Sequence, residues 1–173
     1  YWRVQALIEL ARVSSRSNYL RWARKLINKI DDPLWRAWAL AKLANASKKN
    51  IHFTLARQAI DKIDEVYLRA LLRLEVAEAS KNPKDLEEIR TLIKRVRDFW
   101  ERAFLLGWLA KISGGLRYFG LAKRWGKKIA DPSSRAYLFV KIAKKTGESR
   151  WIDFAEEAVE EIEESFRKNH YLF

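Results

Sequence analysis

Residues 19–50 read YLRWARKLINKIDDPLWRAWALAKLANASKKN, and this stretch decides the fold. Leu20, Ala23, Ile27 and Ile30 recur at i, i+3, i+7 and i+10, the spacing of one buried helical stripe. Asp32-Pro33 ends that helix and opens another: the aspartate suits an N-cap, and proline fits a first turn, where its missing N–H is not needed. The second helix turns Ala37, Leu40, Leu43 and Ala44 inward, and Ser47 with Lys48, Lys49 and Asn50 closes the unit. Helices joined by so short a turn pack antiparallel.

The unit repeats every 33 residues without slippage. Ile30 aligns with Ile63, Val96, Ile129 and Ile162, and Ala23 with Ala56, Ile89, Ala122 and Ala155. Ala11, Ala44, Ala77, Ala110 and Ala143 form another column, and Ser14, Ser47, Ser80, Ser113 and Thr146 a hydroxyl column at the unit ends. Periods of this length mean arrays of one supersecondary unit. The expected fold is therefore all-α, an α-solenoid of about five stacked antiparallel hairpins. It forms one helical-repeat domain over 1–173, with units near 1–17 (a half unit), 18–50, 51–83, 84–115, 116–148 and 149–173. Tyr1 at the start, no Met anywhere, and a beginning in the second half of a unit read as a piece of a longer array.

The repeat resembles the tetratricopeptide hairpin along the whole chain, in its small-Ala and large-apolar spacing and its hairpin length. It departs from that family in lacking the first-helix Trp-Leu-Gly-Tyr pattern and in its period, which is about 34 residues in the family. The Thr-Pro-Leu-His signature of ankyrin repeats, which share the shorter period, is also missing. The resemblance implies a right-handed binding scaffold for protein segments.

Composition narrows the function class. The chain has 35 Lys and Arg against 22 Asp and Glu, net +13, and no cysteine for disulfides or thiolate metal sites. No apolar run approaches the roughly 18 residues of a membrane span, and the expected compartment is the cytoplasm. High Lys, Arg and Glu with no Cys or Met is a composition thermophile proteins favour. The two histidines, His52 and His170, sit at unrelated repeat positions, and no phosphate loop, metal motif or nucleophile elbow occurs. The expectation is a non-enzyme without cofactor or metal.

Two sets of charges compete for attention. Arg3, Arg36, Arg69, Arg102, Arg135 and Lys168 form a basic column, preceded by four residues by the acidic Asp32, Glu65, Asp98, Asp131 and Glu164. Their spacing reads as partly buried ion pairs that fix the turn between helices. The outward face of the first helices carries the candidate partner-binding stripe: Arg24, Lys25, Lys29, Arg57, Lys62, Arg90, Lys94, Arg95, Lys123, Arg124, Lys127 and Lys128. A solvated, solubilising face is the plain alternative. Charge segregation favours a partner: residues 148–173 hold three basic and eight acidic side chains, net −5, so residues 1–147 carry +18.

The expected function is a scaffold for protein–protein interaction that engages an acidic segment through this face. The alternative is RNA or single-stranded nucleic acid on the same stripe, helped by aromatic side chains at Trp38, Phe104 and Tyr137, a column that Leu71 interrupts and His170 ends. The acidic last helix also suggests head-to-tail self-association with the basic face of a second copy.

Overall fold

A computed structural model describes residues 1–170, with side chains described as far as Glu164. Lys168 of the basic column and His170 of the aromatic column lie outside the described side chains. Among the described residues there are ten helices and no strand: α1 (Trp2–Ser14), α2 (Ser17–Ile27), α3 (Pro33–Ser47), α4 (Asn50–Ile60), α5 (Val66–Ser80), α6 (Pro83–Arg95), α7 (Phe99–Ser113), α8 (Leu116–Gly126), α9 (Pro132–Thr146) and α10 (Arg150–His170). The chain groups into two compact units, 1–92 and 93–173, and the division falls within α6.

Two kinds of turn alternate, and each repeats with the period of the sequence. The first follows α1, α3, α5, α7 and α9. It places Ser15, Lys48, Lys81, Gly114 and Gly147 in the left-handed region, with φ between 54° and 75°. The N–H groups of Lys48, Lys81 and Gly147 donate to the carbonyls of Ala44, Ala77 and Ala143, which satisfies carbonyls the helix end would leave bare. The hydroxyl column explains itself here. Ser14, Ser113 and Thr146 donate back to the carbonyls of Leu10, Leu109 and Ile142. The same oxygens accept from the N–H of Arg16, Gly115 and Glu148 at the start of the next helix.

The second kind of turn precedes α3, α5, α7 and α9 and corrects the ion-pair reading. The acids of the column are caps: Asp32 accepts from the Trp35 N–H, Glu65 from those of Tyr67 and Leu68, Asp98 from Glu101, and Asp131 from Ser133 and Ser134. The arginines reach backwards instead, to carbonyls just beyond the end of the preceding helix. Arg36 donates to Asn28, Arg69 to Ile63 and Arg135 to Ile129. Bare N–H groups attract the carboxylate and bare carbonyls attract the guanidinium, so each charge serves a helix end. Arg102 departs from the pattern and lies over the Trp125 ring at 4.2 Å.

The helices in closest register are α1 with α2, α3 with α4, α7 with α8 and α9 with α10. These pairs close across the left-handed turns, which are two residues long after α1, α3 and α7 and three after α9. The Asp-Pro type of turn is longer and joins one hairpin to the next. Within 1–92, α1, α3 and α5 lie side by side, α2 leans on α1 and α3, and α4 leans on α3 and α5. Within 93–173, α7 lies beside α9, α8 leans mainly on α7, and α10 packs on α9. Ala23, Ala56 and Ala122 are wholly buried where the helices lean together, as are Ala37, Ala70 and Ala103. Gly107 is the extreme case: a Cβ there would lie 2.6 Å from Ile142 Cγ2, so its absence lets α9 approach α7.

Candidate functional site

The stripe divides into cations that are open and cations that the fold already uses. Lys25, Lys29, Lys62, Lys94, Arg95 and Arg124 are exposed. Arg57 is not free: its Nε and Nη2 form a two-pronged bond to Asp85, both at 2.7 Å. That carboxylate holds the Arg57 guanidinium above its ordinary value, against the opposing effect of burial. Arg90 is half-buried in the same part of the chain. Lys127 pairs with Glu157 at 3.1 Å. Lys128 lies 4.1 Å over Trp125, and Lys123 lies 3.9 Å over Phe154. A helical wheel places all twelve outward, but long side chains bend back to whatever ring or carboxylate stands within reach.

Arg24, the remaining member, is half-buried. It lines two hollows between α2 and α4, one of about 490 Å³ and one of about 320 Å³. The hollows exist because α2 and α4 each lean on α3, which leaves a groove with α3 beneath it. The first hollow joins Arg21 and Arg24 to Lys49 and His52, with Leu20 and Ala46 supplying apolar surface and no carboxylate on its lining. The second carries Arg24 on to Arg36 and Lys62, over Leu40, Leu55 and Ala59, with Asp31 at its edge. Of the stripe, Arg24 and Lys62 are therefore brought together, and they are joined by Arg36 of the basic column and by Arg21, Lys49 and His52.

His52 reports the local field. Its Nδ1 lies 2.6 Å from Ser47 Oγ. Burial, then the positive charges of Arg24 and Lys49, push its pKa below the ordinary 6.5, since each of these disfavours a second positive charge in the groove.

The acidic last helix is partly neutralised by its own neighbours. Glu157 takes Lys127, and Glu161 takes Arg135. Both carboxylates lie on one side of α10, while Asp153, Glu156 and Glu160 stay exposed. A further network escaped sequence reasoning altogether. Arg73, 5% exposed, meets Asp61, Asp85 and Glu88, and Ser80 donates to Asp85. Asp85 shares its repeat position with Tyr19, His52, Tyr118 and Trp151, and so stands out only as an exception within its column.

The aromatic column stays half-exposed rather than buried. Trp38 and Phe104 are intermediate and Tyr137 is exposed. Among the described residues no group of three or more His, Cys, Asp or Glu is placed to hold a metal ion. No described helix is long and apolar enough to cross a membrane. No protein-family model matches this sequence, and neither the curated proteins nor the solved structures searched contain a match to it.

Proposed function

We propose that this chain is a non-catalytic, tetratricopeptide-like helical scaffold that binds an acidic segment of another protein in the groove between α2 and α4. One observation carries the reading: the groove joins an apolar floor to cationic walls. Leu20, Leu40, Leu55, Ala46 and Ala59 offer apolar contact, and Arg21, Arg24, Lys49 and Lys62 offer charge. A segment of alternating apolar and acidic residues satisfies both, and Arg24, which lines both hollows, lets one segment engage the pair. The charge on residues 1–147 would add a long-range pull on such a partner.

The test is binding of a fluorescent ten-residue Glu/Leu peptide across a salt series, with a dT 20-mer in parallel. The expected result is peptide binding that weakens with salt yet persists at physiological ionic strength, and that Arg24→Glu with Lys62→Glu removes. Oligonucleotide binding that is tighter than peptide binding and falls linearly on a log–log salt plot would support nucleic acid instead.

A further inference from the structure

The face where α7 packs beside α9 brings stacked rings and lysines together. Trp100 stacks on Phe104, with centroids 5.5 Å apart and planes within 12°, and on Tyr137 of α9 at 6.3 Å and 25°. Phe104 in turn meets Trp108 edge-on at 6.3 Å. Lysines lie over the rings: Lys141 Nζ is 5.2 Å from the Tyr137 centroid and Lys145 Nζ 3.5 Å from that of Trp108. Lys111 donates to the Lys145 carbonyl, and Lys144 is exposed about one turn beyond Lys141 and about two beyond Tyr137. Glu101, in its first turn, is the one acid of α7, and α9 has none.

Ring contact does not neutralise an ammonium. It holds the side chain in place, which lowers the entropy lost when an anion arrives. Resting on the reading that this protein takes acidic segments, we infer that the α7–α9 face is a second docking surface, for a carboxylate-rich stretch of a protein partner. Charge complementarity selects the occupant. The ring faces are already taken by one another and by lysines, so a base would find little free platform to stack on. What the face presents is ammonium groups and ring edges, and both attract carboxylates. Lys141 and Lys144 lie one turn apart on α9 and meet successive acids of such a segment.

Calorimetric titration of the whole chain with a ten-residue poly-Glu peptide tests this, with dT 10-mer as the comparison probe. Circular dichroism would confirm that the variants stay helical. Two peptides are expected per chain. Lys141→Glu with Lys144→Glu should remove one, weakening that step by about tenfold or more, and should leave the site sensitive to Arg24→Glu with Lys62→Glu. One peptide per chain, lost only in the α9 variant, would keep the face and remove the groove. Loss only in the groove variant would overturn the face and keep the proposed function. Peptide binding absent while dT binds through Lys141 and Lys144 would overturn the chosen occupant.

Discussion

Residues 1–92 and residues 93–173 carry the same repeat but lean on different partners for their cations. In the first, cations are met by carboxylates: Lys42 by Glu75 at 2.8 Å, Arg57 by Asp85, and Arg73 by Asp61 and Glu88. In the second, rings meet many of the cations, Arg102 and Lys128 on Trp125, Lys141 on Tyr137 and Lys145 on Trp108, beside the ion pairs of Lys127 with Glu157, Arg135 with Glu161 and Arg150 with Glu148. One repeat column shows the contrast at a single position, where Glu9, Lys42 and Glu75 give way to Trp108 and Lys141. A repeat therefore dictates the backbone while leaving each exposed position open to a different chemistry. Ion pairs switch a surface off for charged partners, whereas cation–ring contacts leave it on.

The comparison can be broken at its most buried point. Asp85→Ala removes the two-pronged partner of Arg57 and the acceptor of Ser80, while Arg73 keeps Asp61 and Glu88, and the loss of these charge-assisted bonds should cost about 1.5–3 kcal/mol. Urea unfolding measures this, and a loss near zero would mean the network does not stabilise residues 1–92. The ring-based half is sharpened at Gly107, where a methyl group meets Ile142 at 2.6 Å. Gly107→Ala should destabilise by about 1–3 kcal/mol in spite of alanine's better helix propensity. Gly120→Ala, in α8 with nothing within 4 Å of the new methyl, should stabilise by up to about 1 kcal/mol. Equal effects of the two would contradict the close α7–α9 approach.

Smaller effects sit in the turns. Residues 1–92 place Ser15, Lys48 and Lys81 at positive φ, where the other half has Gly114 and Gly147. Lys48→Gly and Lys81→Gly should each raise stability by at most about 1 kcal/mol, and Gly147→Ala should lower it by a similar amount. The smallest effect is a pH slope. His52 binds its proton less readily folded than unfolded. On acidification the unfolded chain is protonated first, so this contribution to stability falls as pH drops through about 6.5. Melting from pH 7.5 to 5.5 should show a shallower slope in His52→Gln than in the parent chain.

Much of the fold is legible in the sequence because each column answers to a local cause. The hydroxyls at Ser14, Ser113 and Thr146, the caps at Asp32, Glu65, Asp98 and Asp131, and the buried alanines all follow from helix ends and helix proximity. Phase is not legible in this way. A period of 33 residues is the same wherever the unit is cut, and only the relative tightness of the two turns shows which helices form the hairpin. The site is legible in part. Periodicity finds Arg24 and Lys62 on outward faces, but the groove between them depends on how far apart α2 and α4 rest on α3. Asp85 was invisible for a related reason: a network built from residues unique to one repeat leaves no column to read.

The most direct test of the central claim is a map of where an acidic segment binds. Amide resonances of the isotope-labelled chain would be followed while the Glu/Leu peptide is added. The account predicts saturable shifts at Leu20, Arg24, Ala46, His52, Leu55 and Lys62, the two sides and floor of the α2–α4 groove. Small, unsaturable shifts spread over Lys25, Lys29, Lys94, Arg95 and Arg124 alike would contradict it and leave the basic face as a solvated surface.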